Sequence, residues 1–459
     1  MEKIQNDTIA AIATPVGEGG IGIIRLSGSG SLKIADGIFE GKHGRNKPSG
    51  FLTYTTHYGL IRDKSEKIDE VILTVMRAPK TYTREDVVEI NCHSGIVPLR
   101  KILELVLARG ARIAEPGEFT KRAFLSGRID LSQAEAVADV VRAKTDLSLK
   151  AAMGQLQGGL SKKISSARAG LLNLLADIEA SIDFPEEDTG DVPGNMLAGK
   201  LDQCRIELEG LLKTFDAGRL LKEGVSAAII GRPNVGKSSL LNCLVGKERA
   251  IVTSVPGTTT DTIEETMDVG GVHIRVIDTA GIGRRGKRPG IIEAEGIRRA
   301  GRVMEVSQLL LLVLDGSQPL KAEDRKLLGR IKNRKAIILI NKIDLRQKIK
   351  SKDLQTAHPA IEISAKKNRN IDKVRAQISR EVWGGKIDFT GDAVLTSIRH
   401  KNEIGSAVKN LRSAGSSAGS AELASMDIRE AINALGRITG ETITEDILDR
   451  IFDKFCIGK

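Results

Sequence analysis

Hydrophobic and polar positions change their spacing along the chain, and the changes divide it into four stretches. Residues 7–118 carry short β-rich segments between turns, with strands predicted at 8–13, 21–26, 71–76 and 87–91. The next stretch is helical, and one predicted face carries Leu131, Ala134, Val137, Ala138 and Val141. Strands and helices then alternate up to residue 380, as in a parallel α/β domain, before the pattern becomes helical again. These changes predict segments 1–118, 119–215, 216–380 and 381–459.

The two helical stretches flank the α/β segment. The first carries a second apolar face at Leu171, Leu174, Leu175 and Ile178. The last predicted helix opens at Thr444, an N-cap residue followed by acidic side chains. Neither stretch is thick enough to bury its own faces, so we expect one helical domain interrupted by the α/β domain. The fold class predicted is multidomain α/β plus α.

A glycine-rich run near the start, Gly17-Glu18-Gly19-Gly20-Ile21-Gly22, formally satisfies a dinucleotide-binding pattern. That interpretation requires a helix after the glycines, but the strand-like Ile23-Ile24-Arg25-Leu26 follows. A glycine-rich turn between strands is therefore predicted.

Composition adds a charge argument. The 459 residues are 41% hydrophobic and 28% charged, which is typical of a globular protein. A net charge of +11 is consistent with a polyanionic partner, and equally with a lysine-rich surface. Aromatic residues make up only 3%, so we expect any nucleic acid to be held by its phosphates. No signal peptide, membrane span or cysteine pairing pattern is evident, which predicts a cytoplasmic location.

A phosphate-binding loop stands out at Gly231-Arg232-Pro233-Asn234-Val235-Gly236-Lys237-Ser238. An apolar strand at 225–230 precedes it and a helix-forming stretch follows, which is the context this loop requires. Its backbone N–H groups surround phosphate oxygens, its lysine reaches the β- and γ-phosphates, and its serine ligates Mg²⁺.

Further segments of a guanine-nucleotide site follow in order, each at the end of a predicted strand. Asp278-Thr279-Ala280-Gly281 matches the segment that holds Mg²⁺ and senses the γ-phosphate. Asn341-Lys342-Ile343-Asp344 supplies a carboxylate that accepts from guanine N1–H and the 2-amino group, which adenine cannot offer. Ser364-Ala365-Lys366 places backbone near guanine O6. The sequence therefore predicts a GTP site.

The residues predicted to bind GTP are Asn234, Val235, Gly236, Lys237, Ser238, Ser239, Thr253, Ser254, Val255, Pro256, Gly257, Thr258, Thr259, Asp278, Thr279, Ala280, Gly281, Asn341, Lys342, Asp344, Ser364, Ala365 and Lys366.

Ile282 follows the aspartate segment, where many small GTPases place a water-orienting glutamine. Hydrolysis must therefore use another group, and Glu293 and Glu295 are the acidic candidates. The alternative for Glu293 is an exposed helical glutamate.

The chain resembles the tRNA-modification GTPases of the MnmE (TrmE) type along nearly its full length. The motifs that carry the resemblance are Asp7-Thr8-Ile9-Ala10-Ala11-Ile12-Ala13-Thr14-Pro15, Pro116-Gly117-Glu118-Phe119, Ile182-Asp183-Phe184-Pro185 and the terminal Phe455-Cys456-Ile457-Gly458-Lys459. The resemblance implies an N-terminal α+β domain that binds tetrahydrofolate and dimerises, a split helical domain, and an inserted Ras-like G domain. It also implies a complex with an FAD-dependent MnmG-family protein, and modification of carbon 5 of the wobble uridine of tRNA.

The same resemblance implies ion and catalytic ligands. Potassium falls on Asn234, Thr253, Val255 and Thr258, and Mg²⁺ on Ser238 and Thr259. The water-orienting acid falls on Glu293. Thr260 departs from the arginine common in the family.

For a folate cofactor of the 5-formyl- or 5,10-methylene-tetrahydrofolate type, the resemblance implies Arg25, Glu89, Arg128 and Lys459. Cationic groups suit the glutamate tail, and a carboxylate suits the donor edge of the pterin. The family more often has lysine at the position of Arg128. Cys456 is predicted to be either a catalytic thiol near the folate or a buried structural cysteine.

Two other functions stay open at this point. One is a GTPase of ribosome assembly, although no convincing KH-type RNA-binding module follows the G domain. The other is a regulatory protein gated by folate and GTP, with negligible catalysis.

Overall fold

The computed structural model describes residues 7–42, 46–183, 194–246, 264–278, 303–384, 393–417 and 420–459. The described residues fall into two compact units. One contains segments from 1–138, 155–206 and 402–459, and the other contains segments from 139–154 and 207–401. No described helix combines the length and apolar character needed to cross a membrane.

The first unit contains a seven-stranded sheet. Its strands are β1 (Ile9–Ile12), β2 (Gly19–Ser27), β3 (Phe39–Gly41), β4 (Thr55–Asp63), β5 (Glu66–Met76), β6 (Val87–Ser94) and β7 (Arg112–Ile113). The order is β3-β4-β5-β6-β2-β1-β7, and every pairing is antiparallel except that of β1 with β7. Helices α1 (Ser31–Asp36) and α2 (Ile96–Ala108) and a 3₁₀ helix, Pro48–Gly50, accompany the sheet.

The period-2 pattern explains the core of this sheet. Val71, Leu73 and Val75 of β5 are buried while their neighbours are more exposed, and they share one apolar cluster with Leu99 and Ile102 of α2. Strands β3, β4 and β7 were not predicted from the pattern.

The glycine-rich run is part of strand β2. Gly19, Gly20 and Gly22 lie in the strand, so the predicted turn is wrong at these positions. A Cβ on Gly22 would lie 2.8 Å from the Cδ2 atom of Leu99, so close packing of α2 on the sheet accounts for this glycine.

Five helices follow in the chain: α3 (Glu118–Leu125), α4 (Leu131–Arg142), α5 (Asp146–Leu156), α6 (Gly159–Asp183) and α7 (Gly194–Lys213). Helix α6 is described as far as Asp183, and the Phe184-Pro185 residues that follow lie outside the described part of the chain.

The second unit holds a six-stranded sheet. Its elements are α8 (Phe215–Glu223), β8 (Val225–Ile230), α9 (Lys237–Val245), β9 (Glu264–Val269), β10 (Val272–Asp278), β11 (Leu309–Asp315), α10 (Ala322–Ile331), β12 (Ala336–Asn341), a 3₁₀ helix (Ser351–Asp353), β13 (Ala360–Glu362) and α11 (Ile371–Trp383). The strand order is β13-β12-β11-β8-β10-β9, and only the β10–β9 pair is antiparallel.

Both faces of this sheet are covered. Along β11, Leu309, Leu311 and Val313 join an apolar cluster with residues of α9 and α11. The intervening Leu310 and Leu312 join a second cluster, which includes residues of α10. Because both faces of β11 are buried, its sequence is continuously apolar. The predicted doubly wound domain is therefore confirmed.

Three helices complete the chain: α12 (Ile398–Ser416), α13 (Ala421–Thr439) and α14 (Glu445–Phe452). Within the first unit α6 packs on α13, and Arg429 of α13 pairs with Glu179 of α6 at 2.6 Å. Leu131 and Ala134 of α4 share a cluster with Phe452 of α14. Helical segments from both sides of the inserted domain therefore pack together, as expected.

Candidate functional site

The phosphate-binding loop connects β8 to α9 through two glycines with left-handed backbone. Gly231 has φ +148°, and a Cβ there would lie 2.5 Å from the carbonyl oxygen of Val313. Gly236 has φ +101°, and a Cβ there would lie 2.2 Å from Nδ2 of Asn341. Only glycine fits both positions, and the turn they form presents the N-terminus of α9.

Polar groups gather around this loop. The Nζ atom of Lys237 donates to the carbonyl oxygens of Gly231 and Arg232, at 2.9 and 2.8 Å. Ser238 is exposed in the first turn of α9, and Asn234 is exposed with φ +59°. An ammonium group, a hydroxyl and helix N–H groups therefore share one open edge, which suits a polyphosphate with a cation.

A buried ion pair anchors the loop to the domain. Arg232 donates from Nε to Oδ1 of Asp324 at 2.8 Å, and the two side chains are only 9% and 1% exposed. Asp324 lies in the first turn of α10. Sequence reasoning assigned no role to either residue, because nothing in the local pattern links them.

Asn341 joins the phosphate loop to the predicted guanine loops. It ends β12, it is 3% exposed, and its Nδ2 donates to the carbonyl oxygen of Val235 at 2.8 Å. Its Oδ1 accepts from the N–H of Ala365 at 2.9 Å. One buried amide therefore fixes the spacing between two ends of the candidate site.

Asp344, the carboxylate predicted to face guanine, has a defined hydrogen-bond and charge environment. Asp344 is exposed and accepts from Ser364 Oγ at 2.5 Å. That hydrogen bond, together with Lys366 and Lys367, holds the pKa of Asp344 below its ordinary value. The carboxylate is therefore ionised and open to a ligand with two N–H donors.

Lys342 has a different partner. It has φ +70°, and its Nζ lies 2.6 Å from Oδ2 of Asp315. Burial raises the pKa of Asp315, but hydrogen bonds from Lys342 and Ser317 outweigh it and lower the pKa. Asp315 ends β11 next to β12, a pairing that the sequence motifs do not reveal.

Several predicted site residues lie outside the described part of the chain. These are Thr253, Ser254, Val255, Pro256, Gly257, Thr258, Thr259, Thr279, Ala280, Gly281 and Glu293. Asp278 ends strand β10, and only its backbone is described.

A second group of predicted residues meets at the end of the chain, within the first unit. Ile457 forms a β-bridge with Pro116, and the N–H of Gly117 donates to the Cys456 carbonyl oxygen at 3.3 Å. Gly458 has φ +92°, and a Cβ there would lie 2.6 Å from the carbonyl oxygen of Ile12. The terminal motif is therefore held against residues far away in sequence.

Arg25 and Glu89, both predicted as folate ligands, form an ion pair on neighbouring strands. Their Nε and Oε1 atoms are 2.7 Å apart, and Arg25 also donates to the Gly458 carbonyl oxygen at 3.2 Å. Lys459 is near this pair: burial lowers the pKa of Lys459, and the positive charge of Arg25 lowers it further. Three of the four predicted residues therefore share one locality.

Arg128 stands beside the same locality. Its guanidinium carbon is 4.7 Å from the ring centroid of Tyr82, and the Arg25 guanidinium carbon is 5.7 Å from the Phe119 ring. Tyr82 packs against the small cluster that contains Phe119. Sequence reasoning missed Tyr82, since a single tyrosine in a turn region carries no motif.

Cys456 is exposed. The predicted alternative of a buried structural cysteine is therefore wrong, because the tail is held by its backbone and by neighbouring side chains.

Two family models match this chain. The family model described as the MnmE helical domain matches residues 131–456, well over half of the chain. The family model described as the N-terminus of the GTP-binding protein TrmE matches residues 8–128. The chain belongs to the MnmE family.

MnmE relatives match it from end to end. A tRNA modification GTPase MnmE of Acetivibrio thermocellus is 45% identical over 99% of this chain and 100% of its own. Those of Alkaliphilus oremlandii and Geobacillus thermodenitrificans are 44% and 46% identical, each over 99% of both chains. Among solved structures, the G domain of the T. maritima FeoB iron transporter is 28% identical, covering 34% of this chain and 98% of its own with a TM-score of 0.27.

Membership of the MnmE family confirms the enzyme class predicted from the motifs. The chain is a GTPase that acts in tRNA modification, and GTP and Mg²⁺ are the ligands this implies. The fold class is confirmed as well, since the N-terminal, helical and G-domain parts are all present.

Proposed function

We propose that this chain is a potassium-stimulated GTPase that works with an FAD-dependent MnmG-family protein on tRNA. In this proposal the pair adds a carboxymethylaminomethyl or aminomethyl group to carbon 5 of the wobble uridine, using a one-carbon unit from a tetrahydrofolate. The protein acts as a cytoplasmic homodimer. The bridging of the phosphate loop and the guanine loop by Asn341 is the observation that carries the nucleotide part of this proposal.

The nucleotide part assigns a task to each described side chain. Asp344 accepts from the guanine N1–H and 2-amino groups, and the N–H groups at the start of α9 hold phosphate oxygens. Lys237 exchanges the carbonyl oxygens of Gly231 and Arg232 for phosphate oxygens, which are stronger acceptors. Ser238 holds Mg²⁺, which neutralises negative charge on the phosphates when bound.

Potassium is proposed beside Asn234, with Thr253, Val255 and Thr258 as further ligands and Glu293 as the water-orienting acid. Asn234 is exposed and has an amide oxygen of the kind that hard cations prefer. A monovalent cation at this position stabilises charge that develops between the phosphates. Glu293 supplies the orientation of the attacking water that Ile282 cannot give.

The folate part rests on the chemistry of the donor set. Glu89 can accept from the N–H edge of a pterin, and the cations Arg25, Lys459 and Arg128 complement carboxylates. Cys456 is exposed in the same tail, so we propose it as a catalytic thiol for the modification step.

Base recognition is tested by Asp344→Asn. The amide presents an N–H group toward the guanine 2-amino group, so GTP binding should weaken strongly, while xanthosine triphosphate, with an oxygen at that position, should bind better. Asp353→Asn, an exposed substitution in the 3₁₀ helix of the same unit, is the matched control. Equal weakening for both nucleotides would contradict the assigned role.

Ion dependence and biological role need separate measurements. GTP hydrolysis in K⁺ should be much faster than in Na⁺ at equal ionic strength, and equal rates would remove the potassium proposal. Nucleoside mass spectrometry of tRNA from a deletion strain should show loss of the 5-substituted wobble uridine. An unchanged profile would favour a role in ribosome assembly.

A further inference from the structure

A cleft of about 350 Å³ lies beside Arg128 in the first unit. Tyr54, Lys80, Tyr82, Arg84 and Arg128 contribute to its walls. Within the part of the chain that the structure describes, this lining contains three cations and no carboxylate. The cleft is therefore suited to an anion. None of its lining residues belongs to the nucleotide site, so the nucleotide does not account for these cations.

Hydrogen bonds connect the segments that form the walls of the cleft. Arg84 has φ +62° and donates from Nη1 to the Ser126 carbonyl oxygen at 2.7 Å, which fixes one of its ends. The Tyr54 hydroxyl donates to the Lys80 carbonyl oxygen, so the two segments that carry these residues are tied together. Lys80 and Arg84 nevertheless stay exposed.

Arg128 belongs both to the lining of this cleft and to the residues proposed to bind folate. Arg128 lines the cleft and lies over the Tyr82 ring, while Tyr82 donates to or accepts from Thr120 at 3.0 Å. Tyr82 in turn packs with Phe119, whose ring lies under Arg25. Arg25, which pairs with Glu89, and Arg128 therefore lie against rings of one cluster, and Arg128 also lines the cleft with Lys80 and Arg84.

We propose that this cleft is a subsite for the poly-γ-glutamate tail of the folate, with Lys80, Arg84 and Arg128 receiving successive tail carboxylates. The inference rests on the proposed folate function and specifies its substrate as the polyglutamylated form. Each added γ-linked glutamate brings one more carboxylate, so three cations in one cleft match a short chain of such groups. A small concave site also suits this ligand better than it suits an RNA duplex.

The test compares 5-formyltetrahydrofolate carrying one glutamate with the same compound carrying three, titrated calorimetrically into the full chain at low salt. Exposed ion pairs contribute modestly, so we expect the triglutamate to bind about fivefold more tightly than the monoglutamate. The gain should shrink when salt is raised. In Lys80→Gln/Arg84→Gln the ratio of the two affinities should fall toward one.

Lys33→Gln/Lys67→Gln removes the same charge from exposed positions outside the cleft and should keep the wild-type ratio. Thermal unfolding of each variant, together with its monoglutamate affinity, shows whether the fold is retained. A wild-type ratio near one with tight monoglutamate binding would overturn the tail subsite alone. Failure of both compounds to bind would overturn the folate function as well. Loss of tRNA affinity in the cleft variant, with an unchanged folate ratio, would assign the cleft to RNA and also overturn the proposal.

Discussion

Replacing Asn341 by alanine should uncouple the two ends of the nucleotide site. The amide is buried, and its loss leaves the Val235 carbonyl and the Ala365 N–H without their partner. A buried backbone group left unpaired costs about 1–3 kcal/mol, so the domain should lose about 2–6 kcal/mol of stability. The nucleotide must then also order the two loops, and we expect GDP affinity to fall by about tenfold or more, equivalent to about 1.4 kcal/mol.

The measurement is a titration with a fluorescent GDP analogue, combined with thermal unfolding with and without nucleotide. Gln133→Ala is the matched control, because that amide also forms two bonds, accepting from the Asp130 N–H at 3.0 Å and donating to the Leu156 carbonyl oxygen at 2.9 Å. It lies in the other unit, so it should lower stability without changing GDP affinity. Wild-type GDP affinity in Asn341→Ala would refute the bridging role.

Three further predictions concern packing, reactivity and pH. Gly271→Ala, at φ +82°, places a Cβ 2.2 Å from a leucine side chain of α5. The control is Gly110→Ala, at φ +101° with open space around it, which meets only backbone strain of about 1–2 kcal/mol. Chemical denaturation should therefore show that Gly271→Ala lowers the free energy of unfolding by about 1–3 kcal/mol more than Gly110→Ala does. Equal losses of stability in the two variants would argue against the contact. Alkylation followed by mass spectrometry should label the exposed Cys456 and spare Cys92, whose burial raises its pKa to about 11, and the reverse order would contradict the structure. Burial would raise the pKa of Glu118, but two arginines and a backbone N–H hold this pKa below its ordinary value of 4.5. The ionised Glu118 therefore stabilises the fold above pH 4.5, and this stabilisation is lost as the pH falls through the lowered pKa. The stability difference between wild type and Glu118→Gln should therefore narrow in acid, and a constant difference would refute this assignment.

The nucleotide motifs were readable because each is local. A strand, a tight loop and a helix follow one another within residues 225–245. The spacing of the glycines and Lys237 therefore predicts phosphate binding without tertiary information. The same holds for Asp344, which lies three positions after Asn341, the last residue of strand β12.

The partners of these residues were not readable. Arg232 pairs with Asp324, which lies far along the chain in α10. Lys342 pairs with Asp315, which ends the neighbouring strand β11. Only the order of strands in the sheet brings these partners together. Gly22 of β2 was misread as part of a turn because the close approach that requires a glycine there comes from Leu99 of α2, far away in sequence.

By itself the sequence determined the class of fold, the guanine-nucleotide chemistry and the family resemblance, because short-range periodicity and strand-end motifs encode them. Only the tertiary structure decided that the terminal tail meets Pro116 and Gly117, that Arg25 pairs with Glu89 beside it, and that Cys456 is exposed. It also placed Lys80 and Arg84 in one cleft with Arg128. Arg84 and Arg128 are 44 positions apart and Arg25 and Gly458 are 433 apart, and no local pattern specifies which distant partners will pack together.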